Sequence, residues 1–492
     1  MRLFFEKWLP GAELPERRKL SGKYLNDAVV SARAKTRSIV HGQLATGVSD
    51  GWKNIAKVNV VTSMMSVKRE PHLVQTHDMT GLPKTGEQHA EIIEEDIILM
   101  RREFDVHPIG WVTDDGPDGK GARNLLRKRM PWLITLVCWA HQSSLLAGDF
   151  LSFPEYKETV SEALDIVRWF NNHGSALDLF NKEQLLTYPD RTRALALILP
   201  AVTRWTTHFQ CSSRLLLLAR AFKLCIARNK DCLLEIGEKS QTANAKETSR
   251  RVIASIEDPS FWTRLDRVEA YLKPLAIATN ILQASHTRLD HALLALANLF
   301  RIYSHGDTEK GAGKDQALFI LAAFFNPYIR GYCFDRETLP PSELYELAER
   351  AFTRFYGCEP DARFAEALVE YSQAKAEFTD EKMRLKQAEQ RALEKDTDID
   401  IVSIWADIDR SNDALAVCPG RNGVAKLAIR ILSVVANSAG VECAFSDFGR
   451  IHTKARNRLT TKTVHDTGTL RLAIRREHAV AGLSTRRLKR KL

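Results

Sequence analysis

Two aspartates follow apolar, strand-like runs: Asp50 in "VSDGW" and Asp114 in "WVTDDG". A carboxylate at the end of a hydrophobic strand is costly unless it is paired or binds metal. Asp-Gly after a strand is also an ordinary turn, which accounts for either aspartate alone. Two such sites point to carboxylates brought together and call for a third. Glu442 in "SAGVECAFS" is the candidate, because its small, mostly apolar neighbours make a poor setting for a solvated surface acid. Three oxygen donors suit hard divalent cations, which keep waters and substrate phosphates as their other ligands. Two such ions about 4 Å apart can activate an attacking oxygen and stabilise a leaving one in phosphodiester cleavage. Asp50, Asp114 and Glu442 would be the ligands of such cations.

Two further motifs carry chemical side chains. "CWAH" sets Cys138 and His141 at metal-ligand spacing, but no second Cys/His pair lies nearby, so a closed four-ligand zinc site is not supported. A buried thiol with a hydrogen-bonded histidine beside the crevice is the favoured reading. "TRW" sets Arg204 beside Trp205. Arginine can pair with a phosphate bidentately, and an exposed indole can stack on an unpaired base. A large aromatic in a helical region more often belongs to a core.

Elements must position these groups. "LATGVSDGW", "KVNVVTSMMSV" and "HLVQTHDM" are short, β-branched and alternating, which predicts three successive strands. "GEQHAEIIEEDIILMRREF" predicts a helix, "VHPIGWVTDD" a fourth strand, "GKGARNLLRKRM" a helix and "WLITLVCWAH" a fifth strand. From about residue 142 to 394 the pattern is almost entirely helical, ending in one long charged helix through "AEALVEYSQAKAEFTDEKMRLKQAEQRALEKDTDID". Three more helices follow Gly420, the middle one capped by Asn437 or Ser438.

With 492 residues the chain exceeds one ordinary core, so several domains are expected. Apolar content of 44% and charged content of 27% suit a globular protein, and no run of eighteen apolar residues suggests a membrane span. The eight cysteines form no CxxC pair, which suits a reducing compartment. A formal charge of +10 is mild for this length, but the excess gathers after Lys454. The tail "RRLKRKL" could contact phosphates or act as a nuclear import signal, or be a solvated terminus.

The motif series "LPERRKLSGKYLN", "SDGWKN", "VTDDGPDGKGARNLL", "LVCWAHQSSLLAGD", "TRWTTHF" and "VVANSAGVECAFSDFGRIHTKARNRL" resembles that of the hAT transposase superfamily, in order and over nearly the whole chain. The resemblance implies a nuclear DNA transposase that cuts and joins phosphodiesters. Its Asp-Asp-Glu triad falls on Asp50, Asp114 and Glu442 and implies two Mg2+ or Mn2+ ions. It implies an α/β plus all-α fold, with a ribonuclease-H-like mixed sheet interrupted by a large helical insertion and completed by C-terminal helices. The expected boundaries are an N-terminal segment at 1–42, the first part of the catalytic core at 43–205, the insertion at 206–418, a dimerisation region at 419–480 and a basic tail at 481–492. Partners implied are DNA and a second copy of the chain, the latter through apolar positions such as Ile431, Val435, Phe445, Leu470 and Ile474. Trp205 would stabilise a flipped base, and Cys138 and His141 would support the active site. Family members commonly begin with a BED-type zinc finger, and no C-x2-C…H-x3-5-H pattern precedes "FFEKWLPG". Two positions depart from the family pattern. Asp115 stands where Asn is usual and adds a negative charge. Cys443 follows Glu442 where Arg is usual and removes a positive one. A catalytically silent DNA-binding derivative is the alternative; a second is an unrelated helical scaffold whose aspartates only make turns.

Overall fold

A computed structural model describes residues 15–200, 206–238, 243–284, 287–303, 316–411 and 420–483. Arg204, Trp205 and the basic tail from residue 484 lie outside the described residues. Two compact units are present. One comprises Met1–Trp139, Leu282–Leu294 and Thr308–Leu492, the other Ala140–Ile281 and Ala295–Asp307.

The first unit is built on a five-stranded mixed sheet: β1 (Leu44–Lys53), β2 (Asn59–Val67), β3 (Glu70–Asp78), β4 (His107–Thr113) and β5 (Ile134–Val137). The strand order is β3-β2-β1-β4-β5, with β1, β2 and β3 antiparallel to their neighbours and β1, β4 and β5 parallel. Pro108 sits in β4 opposite Ala45, where the register shifts by one residue; proline has no N–H for the ladder, and a bulge accommodates it. Strand alternation then sorts the two faces. Ala45, Met65, Val67, Val74 and Trp111 meet the buried stripe Ala90, Ile93 and Ile97 of helix Gly86–Leu99 and Ala122 and Leu126 of helix Pro117–Arg129. Gly47 lies directly under the Trp111 ring, where an added Cβ would fall 2.1 Å from a ring carbon. Val48 and Met64 face the other way, toward Val435 and Val441.

That second face is covered by helix Ala439–Ile451 and by Val434 and Val435 in the segment before it, while helix Arg421–Leu432 packs on helices Pro341–Tyr356, Ala362–Ser372 and Ile401–Ile408. Helix Thr461–Val480 packs along the edge strand β3 and back on helix Leu25–Val40. Asp447, nearly buried, receives Arg475 and Arg450 as ion-pair partners and ties helix Ala439–Ile451 to helix Thr461–Val480. Ile431 and Val435, expected at an interface between copies, are buried in this core at 0% and 4% exposure, and Phe445 stacks on Trp52. Their apolar surface is used within one chain, while Ile474 stays exposed.

The second unit is helical in its described residues. Phe170, Phe180, Phe222 and Trp262 form the centre of one core there, and Leu151, Phe209, Leu272 and Leu299 contribute to another.

Three sequence expectations change. The units divide near residues 139 and 308 rather than 205 and 418. Helices before residue 205 share the Phe170 core, whereas Phe324, Phe325, Tyr371, Phe378 and Trp405 form an aromatic cluster within the sheet-bearing unit. The long charged helix is broken into Ala362–Ser372, a short turn at Ala376–Phe378 and Leu385–Glu394. Ala374, Ala376 and Arg384 take positive φ there, so that Phe378 and Met383 both turn inward. The fifth strand ends at Val137, leaving "WAH" on helix Trp139–Ser152. Among the described residues no helix is long and apolar enough to cross a membrane.

Replacing Gly47 by Ala is expected to lower unfolding free energy by about 2–3 kcal/mol, as overpacking does when a ring cannot retreat. Urea denaturation measures it; an unchanged midpoint would mean that the Trp111 ring does not lie against β1.

Candidate active site

Parallel pairing of β1 with β4 decides where the two aspartates go. Val48 is opposite Val112, so continuing the register two residues sets Asp50 beside Asp114 at the carboxyl ends of adjacent strands. In α/β sheets this edge is where ligands bind. Asp50 is held by its own turn, with the Gly51 N–H donating to Oδ1 at 2.7 Å. Asp114 follows the last residue of β4, and its Oδ1 accepts from the Gly116 N–H at 3.3 Å. Gly119 is required here. A Cβ at that position would stand 2.8 Å from Asp114 Oδ1 and from the Thr113 hydroxyl.

Glu442 reaches the same face by a different route. On β1, Asp50 and Trp52 share a face because they are two residues apart. On helix Ala439–Ile451, Glu442 and Phe445 share a face because they are three apart. Trp52 and Phe445 stack with ring centroids 5.3 Å apart, which brings the two acid-bearing faces together. Glu442 lies in the first turn of its helix, where the positive end of the dipole favours a carboxylate.

Electrostatics report the result. The Asp50 carboxyl is pushed up from 3.8 to about 7, first by burial and then by the charge of Asp114; Gly51 opposes this, and Glu442 and Asp118 add to it. The charges of both other expected acids therefore reach Asp50. They do not yet form a closed ligand set. Among the described residues, no group of three His, Cys, Asp or Glu side chains is arranged to hold a metal ion. The donor chemistry nonetheless fits a hard cation, since Asp50 is held close to other carboxylates in a partly desolvated pocket.

Asp118 and Arg123 were not singled out from sequence. Asp118 is four residues after Asp114 in the first turn of helix Pro117–Arg129, a spacing that was legible in "DDGPD". Arg123 is nearly buried. It donates to the Thr113 hydroxyl at 2.5 Å, to the Asp114 backbone carbonyl, and to Asp115 Oδ1 at 2.6 Å. The extra charge of Asp115 is thus paired with Arg123.

Cys138 lies between the two acid-bearing elements. Its buried sulfur accepts from the Ser438 N–H at 3.3 Å and hydroxyl at 3.1 Å, just before the Glu442 helix, while its own N–H donates to Thr113. One residue therefore ties the end of β4 to the start of the Glu442 helix. Ser438 does not cap that helix; Asn437 accepts from the Ala439 N–H instead. His141 is exposed in the second unit, on helix Trp139–Ser152.

A carboxyl that holds its proton more tightly when folded adds stability below its unfolded pKa and loses it as pH rises through the folded value. Metal-free protein should therefore lose an Asp50 contribution between about pH 4 and 7. Thermal melts in chelator are expected to show Asp50→Asn gaining on the wild type across that window; parallel pH profiles would sink the account. No protein-family model matches this sequence, and no curated protein matches it.

Proposed function

We propose that the first unit carries out metal-dependent cleavage and joining of DNA phosphodiesters, in the manner of the hAT transposases whose motifs the chain resembles. The observation that carries the reading is the convergence on Asp50 of charge from Asp114 and Glu442, two acids distant in sequence. The sheet order, with three antiparallel strands continued by two parallel ones, supports a ribonuclease-H-like fold for the unit. The helical second unit follows β5 in the chain, where the resemblance expects an insertion.

Asp50, Asp114 and Glu442 are the residues that would hold Mg2+ or Mn2+. When bound, two such ions lower the pKa of an attacking water or 3′-hydroxyl and stabilise charge on the leaving oxygen. Arg123 holds the Asp114 backbone and neutralises Asp115. Cys138 sets the start of the Glu442 helix. The stacked pair Trp52 and Phe445 fastens the Glu442 helix to β1 beside the crevice.

A non-catalytic, DNA-binding derivative is the second reading. It draws support from the open arrangement of the acids, which do not close into a ligand group as they stand.

The test is nicking of supercoiled plasmid by purified protein in Mn2+, at low salt because phosphate contacts weaken with ionic strength. Asp50→Asn and Glu442→Gln are expected to reduce nicking by on the order of 10³-fold, about 4 kcal/mol of transition-state stabilisation, with melting curves confirming an intact fold. Equal nicking by wild type and both variants would identify a contaminating nuclease and remove the catalytic reading. Specific DNA binding without any nicking would favour the non-catalytic one.

A further inference from the structure

Behind the carboxylate crevice, on the other face of the sheet, lies a buried polar chain that the cleavage reading has not drawn on. Successive side chains of a strand point to opposite faces, so Ser49 turns away from the face that carries Asp50. Ser49 is fully buried, and its Oγ accepts from the Trp111 indole N–H at 3.0 Å. The same Oγ lies 2.9 Å from Nε2 of His89, which is only 6% exposed on helix Gly86–Leu99.

This chain fixes the imidazole tautomer. An indole nitrogen can only donate, so Trp111 occupies a lone pair of the Ser49 oxygen. The Ser49 hydroxyl keeps one hydrogen, and among the described residues His89 Nε2 is placed to take it. Nε2 therefore accepts, and the one ring hydrogen of a neutral imidazole sits on Nδ1. Burial holds the His89 pKa below the ordinary histidine value, although Asp118 and Asp114 pull it up, so the ring is neutral at pH 7. Nδ1 is itself buried and has no hydrogen-bond partner among the described residues. A buried donor in that state is costly, and an aliphatic side chain would fill the space without that cost.

The topology sets this ring at the crevice end of the sheet. β2 runs antiparallel to β1 and β3 antiparallel to β2, so β3 ends on the same side as β1. Helix Gly86–Leu99 follows β3 and starts there. Helical side chains tilt toward the N-terminus, which for His89 is toward the crevice. Gly86 and His89 share a helix face, and that face meets helix Pro117–Arg129: a Cβ on Gly86 would fall 2.6 Å from the Gly121 Cα. Asp118 acts most strongly on the ring and Asp114 next, with Arg123 opposing them and Asp96 adding to them. These two acids in turn border one space. A Cβ on Gly116 would lie 3.1 Å from Asp118 Oδ1 and 3.3 Å from both Asp114 oxygens. Lys84 reaches Asp118 only at 3.9 Å, from solvent.

We propose that His89 is a positioning residue of the carboxylate crevice: Nε2 anchors Ser49, and so the Asp50 end of β1, while the Nδ1–H supplies a fixed donor to Asp118 and Asp114. The role rests on the cleavage reading, in which these acids gather divalent cations. Carboxylates that hold a metal are themselves steadied by hydrogen-bond donors. A neutral donor does this without the full positive charge that would compete with a cation.

Glutamine and asparagine separate the two ends of the ring, since the former reaches about as far as Nε2 and the latter about as far as Nδ1. His89→Gln keeps an acceptor for Ser49 and loses the donor; His89→Asn keeps the donor and loses the anchor. Two measurements on the full chain test the role. Nitrogen-15 spectra of histidine-labelled protein at pH 7 are expected to show one ring with Nδ1 protonated and Nε2 bare, absent from His89→Gln. A His89 ring protonated on Nε2 would overturn the proposal. Mn2+ binding, followed by electron paramagnetic resonance of the free ion, is expected to weaken about tenfold in His89→Gln and to stay within about threefold of wild type in His89→Asn. Equal binding by wild type and His89→Gln, or equal loss in both variants, would overturn this role and leave the cleavage reading standing. A wild type that takes up no Mn2+ would defeat the cleavage reading and this role with it.

Discussion

Like charges held close in a half-buried crevice are the constraint around which the sheet-bearing unit is arranged. Asp50 cannot move away from Asp114, because the β1–β4 register sets them side by side. Nor can it be fully solvated, since the Glu442 helix lies over the same face. The cost appears as a carboxyl that keeps its proton to about pH 7. Such an arrangement persists only if other contacts hold the acids in place against their own repulsion. Those contacts can be named, and apart from the turn hydrogen bonds to Asp50 and Asp114 they lie outside the three carboxylates.

The late helix shows this most clearly. Its leading segment is fastened at several points: the Val435 N–H donates to the Thr46 hydroxyl, the Ala436 carbonyl accepts from the Trp139 N–H, and Asn437 donates to the Ala284 carbonyl at 2.7 Å. Arg288 bridges to Val435 and is itself fixed by a two-bond pair with fully buried Asp290. Farther along, Asp447 takes arginines from its own helix and from the next. A fastened scaffold of this kind lets the acid-bearing face be charged without unfolding it.

Much of this was legible in the sequence, for identifiable reasons. The strands β1 to β3 were readable because their residues are β-branched and alternate in sequence, and β4 as a short apolar run ending in an acid. Asp50 and Asp114 were readable because a carboxylate ending an apolar strand breaks that alternation. Glu442 was readable because its neighbours are small and apolar. Arg123 was hidden because a basic residue on a helix normally points to solvent, and nothing in "GARNLL" reveals that it turns back under β4. The break after Ser372 was hidden because charged, helix-favouring residues surround it, while the cause is tertiary: Phe378 belongs to the aromatic cluster around Trp405. The Lys68–Arg69 hairpin was hidden because both residues take positive φ, which side chains with a Cβ disfavour.

The carboxyl end of the parallel strands gathers negative charge, with Asp114, Glu442 and Asp118 each acting on Asp50, and the added acid there, Asp115, is matched by a buried arginine. The segment that Cys138 and Thr46 hold sets where the Glu442 helix begins, so the placement of that acid depends on contacts made by residues far from it in sequence.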